Sequence, residues 1–360
     1  MNNFSQRSDI INMGFMLLSC CIAILLPFEL FLFSYAILGP LHYLTEISWL
    51  HDKKYYSVGR YDGWLLVGLG ILVTLANLFA DIFGAFSEHA AYYFIGVAFL
   101  CGLLFAFVKH LFVRLAGLML ILIIVYAGIP EEGKNAESTS WLLYLLFVPT
   151  LIHVYVFTAL FMLYGALKSR SRLGILSVLL LIACPFLLWN ILPDFSPVPV
   201  TAYGKRVYKG ADISFAQLNQ AILYLGFDMG KKPQGHTSAD AFWDHAVYYS
   251  REGILVMRFI AFAYTYHYLN WFAKTKIIRW HEVPKARFAA VIAIWIFSIA
   301  VYLYDYAAGI RWLFFLSIAH VIMEFPLNFI SLAGILRFFA GKSPAAAPVA
   351  EKQTPPLRKP

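Results

Sequence analysis

The chain has 360 residues, of which 61% are hydrophobic and only 13% are charged. A soluble domain carries about 25% charged residues, so this composition excludes an ordinary soluble protein and predicts an all-α, polytopic integral membrane bundle. The net charge of +8 does not indicate nucleic acid as a partner, because the basic residues lie in short loops between apolar stretches. The positive-inside rule explains that pattern, and the lipid bilayer is the expected partner.

The first fifty residues contain more apolar sequence than one membrane span needs. A span takes about 20 apolar residues, whereas residues 10–50 are interrupted at Pro27 with Glu29 and again at Gly39-Pro40. They predict either two short spans or one span followed by a re-entrant helix that begins at Pro40, because proline fits the first turn of a helix. The topology of residues 1–50 stays open at this point.

Further apolar stretches bring the expected total to about nine or ten membrane segments. If they alternate in direction, the basic loops lie on one side, which is then cytoplasmic together with the C-terminus. The expected location is the inner, cytoplasmic membrane of a bacterium. The stretches are approximately residues 63–84, 88–108, 115–128, 141–166, 173–192, 251–272, 288–305 and 312–336.

The bundle domain is predicted to cover residues 1–342. Within it, residues 194–250 form a long polar connection on the non-cytoplasmic side. The spacing of Ile213, Leu218 and Leu225 predicts an amphipathic helix there, lying on the membrane face or capping the bundle. Residues 343–360 are rich in proline, alanine and lysine and are expected to form a disordered tail.

Four histidines lie inside apolar stretches: His42, His153, His267 and His320. An ionisable side chain at membrane depth is costly and usually faces the protein interior for a functional purpose. Any one of them alone could be a hydrogen-bonded packing residue, but four from separate segments are better explained by one shared metal ion. Four imidazoles that leave open positions favour iron(II) over copper or over zinc, whose catalytic sites usually have three protein ligands.

Two of these histidines are followed four residues later by a glutamate. Glu46 follows His42, and Glu324 follows His320. Positions i and i+4 share one face of a helix, so each carboxylate is expected beside its own imidazole. A metal-bound histidine usually donates its other ring N–H to a carboxylate, a carbonyl or water. We therefore predict that Glu46 and Glu324 are catalytic-site residues that orient the ligands; the spacing leaves open whether one of them is itself a ligand.

Prolines flank both of these pairs. Pro40 and Pro326 are each expected to bend or end a helix near the site. Broken helices also suit an alternative function, a transporter or channel that uses intramembrane histidine and glutamate to bind protons or a solute. That alternative predicts no stoichiometric metal. A b-type haem protein with histidine pairs as axial ligands is another alternative.

Aromatic residues make up 18% of the chain, and many lie close to the four histidines. Tyr43, Trp49, Tyr266 and Trp271 are the candidates for the walls of a site that binds a hydrophobic molecule. The chain contains no HExxH, P-loop or CxxCH motif. These absences disfavour a zincin protease, a nucleotide hydrolase and a protein with covalently attached haem.

Three segments carry a resemblance to a known family: ILGPLHYLTE around His42, AYTYHYLNWF around His267 and AHVIMEFPLN around His320. With His153 they make the chain resemble the bacterial and archaeal membrane β-carotene 15,15′-dioxygenases, the bacteriorhodopsin-related-protein-like family. The resemblance implies an iron-dependent oxygenase whose metal is held by the four histidines. It also implies molecular oxygen and a carotenoid, isoprenoid or other hydrophobic lipid as the substrates.

Overall fold

The architecture comes from a computed structural model, and the residues that it describes form helices joined by short connections. Residues 343–360 and the first part of the predicted span at 141–166 lie outside the described residues. The described residues are 3–79, 82–83, 86–128, 151–190, 199–210, 215–227, 229 and 238–342.

The described residues contain α-helices and short turns of other helix types. Two π-helical turns, Ser34–Leu38 and Ile152–Phe157, precede α3 and α7, and a 3-10 turn at Lys54–Tyr56 follows α3. In chain order the α-helices are α1 (Asn3–Leu25), α2 (Pro27–Phe33), α3 (Gly39–Asp52), α4 (Asp62–Leu78), α5 (Ser87–Phe107), α6 (Leu111–Ala127), α7 (Thr158–Ser169), α8 (Arg172–Asn190), α9 (Ala202–Lys209), α10 (Ala216–Phe227), α11 (Ala239–Tyr248), α12 (Arg251–Ala273), α13 (Thr275–Ile278), α14 (Lys285–Tyr304) and α15 (Tyr306–Phe339).

Seven helical stretches of the described residues are long and apolar enough to cross a membrane. Helices α4 and α6 are apolar but shorter. Helix α12 has the length of a span but is not among the seven. It does not need an apolar sequence, because the bundle surrounds it on most sides and buries Arg258, His267 and Asn270 along with its aliphatic residues.

The lipid-facing surface is formed by apolar side chains of the peripheral helices. On α14, Ile296 is 58% exposed and Leu303 is 81% exposed. Among the described residues, α6 buries only Ile121. A continuous apolar surface of this extent is far larger than a soluble monomer presents to water, so it indicates a membrane protein.

The N-terminal region forms a first helix, α1, and then a second helical run that stays unbroken from Pro27 to Asp52. No re-entrant helix begins at Pro40, so that alternative is wrong. In a regular α-helix the ring of Pro40 would clash with the carbonyl of Ala36, four residues earlier. The chain avoids the clash by widening into the first π turn, where the Gly39 N–H bonds to the Ser34 carbonyl.

Pro326 lies inside a helix as well. Of the two expectations for this proline, a bend or a helix end, the helix end is wrong. Helix α15 continues to Phe339. Every residue from Ala319 to Pro326 is buried, because α3, α4, α5, α7 and α14 pack around α15. Such packing tolerates a proline in a membrane helix. Helix α15 is therefore the central helix of one half of the bundle.

The described parts of the polar connection at 194–250, residues 199–210, 215–227 and 238–250, fold over one end of the bundle. Helix α10 covers most of the segment for which the sequence predicts an amphipathic helix, and it buries Leu218, Ala221 and Leu223. It packs on α12, so it caps the bundle. A hydrogen bond at the start of helix α9 anchors it to α2: the Thr201 N–H donates to Glu29 Oε1 over 2.9 Å.

The other end of the bundle, here called the basic end, carries the connections 53–61 and 108–110 and the C-terminal turns of α7 and α15. The Val58 N–H donates to the Phe105 carbonyl over 3.0 Å, which ties the first two connections together. Arg114 pairs with Asp62 at the same place. Tyr164 on α7 packs against Gly334 on α15, so these helices also meet at this end.

Removing the Asp62 carboxylate is expected to destabilise the bundle strongly. Its side chain is 3% exposed, and that of its partner Arg114 is 12% exposed. Because Asp62→Ala leaves a buried guanidinium unpaired, we expect a loss of roughly 3–5 kcal/mol in the free energy of unfolding. Unfolding of the purified protein by titration with a denaturing detergent measures it.

The matched control is Asp52→Ala, which breaks the Asp52–Arg287 pair. Those side chains are 44% and 33% exposed, so the expected loss is only about 0–1 kcal/mol. Equal losses for the two variants would contradict a special role for the buried pair.

Candidate metal centre

The structure brings the four intramembrane histidines together at the centre of the bundle. His42 lies in the first turn of α3, His153 in the second π turn, His267 near the end of α12 and His320 in the middle of α15. All four are buried, and one ring nitrogen from each lies within 4.8 Å of the others. Four separate segments therefore supply one compact set of imidazoles.

The Nε2 atoms of these rings face one another. His42 Nε2 lies 3.0 Å from His267 Nε2, and His320 Nε2 lies 3.2 Å from His153 Nε2. Ligand atoms that each sit about 2.0–2.1 Å from one metal ion are separated by roughly 3–4 Å. The spacing of these two pairs is thus in the range that a shared ion requires.

Three of the four rings use their Nδ1 atom for an outer contact. His320 Nδ1 lies 3.2 Å from the Leu316 carbonyl oxygen, and His267 Nδ1 lies 2.8 Å from Thr158 Oγ1. His153 Nδ1 lies 3.0 Å from a carboxylate oxygen of Glu324. Carbonyl, hydroxyl and carboxylate groups are the usual outer partners of metal-bound histidines, whose ring orientation they fix.

These outer partners determine which nitrogen carries the proton. A carbonyl oxygen only accepts, so His320 donates from Nδ1 and its neutral ring has a bare Nε2 lone pair. At His153 the Glu324 carboxylate, 3.0 Å from Nδ1, favours a proton on Nδ1 electrostatically, and that tautomer also leaves Nε2 bare. Two bare lone pairs at 3.2 Å repel each other, and a cation between them removes that repulsion. The donor set therefore fits a bound metal ion.

The two glutamates have different positions relative to the four imidazoles. Glu46 Oε2 lies 3.0 Å from His42 Nε2, the nitrogen that faces the other rings, so this carboxylate reaches the centre itself. Glu324 does not lie beside His320, as the four-residue spacing predicts; it contacts His153 Nδ1, an outward nitrogen. The Glu324 Oε2 and His153 Nδ1 atoms are close enough for an ion pair, but their geometry does not make a hydrogen bond. The geometry thus gives Glu46 the position of a ligand and Glu324 that of an orienting partner.

Both π turns lie at the histidines. The first ends one residue before Gly39-Pro40 and is followed within one turn by His42; the second contains His153. A π turn inserts an extra residue and changes the direction of the following side chains, and such turns are frequent at functional sites. The Gly39-Pro40 pair signals the first turn in the sequence, whereas nothing in the sequence marks the second.

Polar contacts hold α3 and α12 together around His42 and His267. The Tyr43 and Tyr268 hydroxyls lie 2.8 Å apart, and Trp271 Nε1 donates to Thr45 Oγ1 over 2.9 Å. Net contributions of about 0.5–1.5 kcal/mol each are typical of such bonds. Trp271, predicted to line the substrate site, thus fastens two helices beside the centre.

A cavity of about 190 Å³ adjoins two of the histidines, His153 and His320. Of the residues predicted to bind substrate, it contains Tyr43, whose ring also stacks on His320 with centroids 4.3 Å apart. Trp49 packs on Trp271 instead, and Tyr266 directs its hydroxyl to Met162. The aromatic residues that line the cavity are Tyr35, Tyr43, Phe215, Tyr264, Tyr268 and Phe314.

Sequence reasoning missed Thr158 and most of the cavity residues. Thr158 contacts His267 across 109 positions of the chain, and a threonine in an apolar helix carries no signal of such a role. Phe215 and Leu218 reach the cavity from the connection that caps the bundle; the sequence predicts an amphipathic helix on the membrane face or capping the bundle there, but no part of it in a cavity. Comparison with known proteins adds no relative to this picture: no family model, no curated protein and no solved structure matches the chain.

Proposed function

We propose that this protein is a membrane-embedded, non-haem iron(II) oxygenase that acts on a hydrophobic substrate of the isoprenoid or carotenoid type. The observation that carries the proposal is the set of four buried imidazoles whose Nε2 atoms face one another. Histidine-rich sites with open positions suit iron(II). When bound, iron(II) supplies the chemistry that activates molecular oxygen.

The residues of the chain have separate tasks in this proposal. His42, His153, His267 and His320 hold the ion, and Glu46 is placed to complete its coordination. Thr158, Glu324 and the Leu316 carbonyl orient three of the imidazoles. All four histidines are buried, so protein encloses the side of the centre that faces the aromatic cavity, which limits side reactions there.

The adjoining cavity supports a flat, apolar substrate. Six of its sixteen lining residues are phenylalanine or tyrosine, and Tyr43 links it to His320 by direct stacking. Small-molecule sites are usually apolar cavities with a few polar groups that fix orientation, and here the Tyr43–Tyr268 hydroxyl pair supplies such groups. A volume of about 190 Å³ holds only part of a long chain, so we propose that the remainder extends along the helices.

The transporter alternative is less well supported by this geometry. A transporter needs a polar path across the whole membrane. Here four imidazole nitrogens converge on one point, and the cavity beside them is lined mostly by apolar and aromatic residues. We keep the expected orientation, with the basic end and the C-terminus on the cytoplasmic side, as part of the proposal.

The proposed function is tested by metal analysis and oxygen uptake. Protein loaded anaerobically with iron(II) should hold about one iron per chain, show no haem absorption and consume oxygen when a polyene is added. Ile318→Trp should lower turnover strongly while iron remains bound, because Ile318 lines the cavity. Leu336→Trp is the control: it is on the same helix but 62% exposed, so turnover should be unchanged. Protein that binds no iron under these conditions would refute the proposal.

A further inference from the structure

Helix α15 carries a row of buried polar residues that leads away from the four histidines. Glu324, Asn328 and Ser331, here called the polar stripe, follow His320 at spacings of four, four and three residues. Residues three or four apart lie on one face of a helix. They are 5%, 4% and 0% exposed, so the stripe is buried at membrane depth.

At Asn328 and Ser331 the polar side-chain atoms of the stripe make no hydrogen bond among the described residues. Neither the Asn328 Oδ1 and Nδ2 atoms nor Ser331 Oγ makes a hydrogen bond there, and Glu46 Oε1, opposite Glu324, makes none either. A serine in a helix can bond to the carbonyl of its own preceding turn, but Ser331 does not. More than nine-tenths of buried polar groups are paired with protein or with ordered water, so a row of such groups indicates bound water.

The stripe has a defined beginning and a defined end. At one end Glu324 lies against His153 and Glu46. One turn beyond Ser331, Gly334 faces the ring of Tyr164 on α7, and a Cβ at Gly334 would collide with that ring. Helices α3 and α7 both pack against α15, so Asn328 and Ser331 lie between the centre and the basic end.

We propose that the polar stripe lines a water-filled passage through which water and small hydrated cations reach the histidine centre from the basic end. The passage runs from the basic end, past the Tyr164–Gly334 contact, and ends at the carboxyl groups of Glu46 and Glu324, whose oxygens can bind a cation. The Asn328 amide and the Ser331 hydroxyl can form hydrogen bonds with the water that surrounds a cation on the way. The aromatic cavity lies on the opposite side, where Leu218 of the capping helix α10 contributes to its wall. The centre thus has an apolar face for substrate and a hydrated face for the ion.

The passage itself is tested by the reactivity of an introduced thiol. Ser331→Cys, made in a variant whose native cysteines are replaced, is treated in detergent with a small cationic methanethiosulfonate, and modification is followed by mass spectrometry. Only a thiolate reacts, and apolar surroundings keep a thiol protonated. We expect the thiol at position 331 to react roughly tenfold faster or more than a thiol in a dry site.

The matched control is Ser298→Cys on α14. Ser298 is also 0% exposed, but its hydroxyl donates to the Ile294 carbonyl over 2.7 Å and accepts from Trp312 Nε1 over 3.1 Å. Equally slow modification of the two variants would overturn the passage. Asn328→Cys gives a second test at the middle of the stripe, with the same expected outcome.

The role of the passage in loading the centre with cations rests on the proposed function, and a separate measurement tests it. After modification of Ser331→Cys, iron(II) uptake by the metal-free protein should slow roughly tenfold or more, with the final iron content unchanged, because the thiol adduct fills the passage. Unchanged uptake would overturn the cation route. Fast thiol modification in a protein that never binds iron would support the water passage and refute the oxygenase, so the two failures are distinguishable.

Discussion

His267→Ala and His153→Ala are each expected to remove iron(II) from the purified protein. The His267 ring has direct neighbours on both sides, Nε2 against His42 and Nδ1 against Thr158, so its loss removes one inward nitrogen and leaves a buried hydroxyl without its partner. Loss of an outer partner alone typically costs roughly 10–100-fold in metal affinity, and the loss of a ligand should cost more. Iron content by mass spectrometry after equilibrium dialysis measures the effect.

A buried histidine outside the centre provides the control for this measurement. His89 on α5 is 8% exposed and is not among the four clustered histidines. His89→Ala should therefore keep its iron. Like the other two variants, it loses some stability because a buried imidazole is truncated. If His267→Ala and His153→Ala retained iron as well as His89→Ala does, the four imidazoles would not form one metal site.

The histidines were predictable from the sequence, but their partners were not. An imidazole flanked by apolar residues stands out because burial of an ionisable group is costly, and this signal needs no tertiary information. The same reasoning pairs Glu324 with His320 from the spacing along one helix. In the folded chain Glu324 contacts His153 instead, because the rotation of α15 against the second π turn decides which side chains meet.

The prolines show a second limit of sequence reasoning. The rule that proline ends a helix concerns an isolated helix. There nothing compensates for the missing backbone hydrogen bond or for the clash of the proline ring with the carbonyl four residues earlier. In this bundle a π turn absorbs Pro40, and tight packing on several sides keeps α15 continuous through Pro326. The aromatic candidates also differ in their positions: Tyr43 reaches the cavity, whereas Trp49, Tyr266 and Trp271 contact neighbouring side chains instead.

The outer contact of His267 gives the sharpest test of how the centre is built. Thr158→Val keeps the shape of the side chain but removes the hydroxyl that lies 2.8 Å from His267 Nδ1. If Nε2 binds the ion, Nδ1 carries the proton and needs an acceptor, so the valine variant leaves a buried N–H unpaired and frees the ring to rotate. We expect iron(II) affinity to fall roughly 10–100-fold, measured by competition with a chelator.

Thr158→Ser is the conservative variant for this comparison, because it restores the hydroxyl and should restore affinity to within a few-fold of the native protein. The two variants distinguish a role of Thr158 in metal binding from a role in packing. If Thr158 only fills space, valine is the better mimic and serine, which leaves a methyl-sized gap, is the more disruptive change. If it orients a metal-bound imidazole, the order reverses. An iron affinity that follows shape rather than the hydroxyl would therefore contradict the assignment of His267 as a ligand through Nε2.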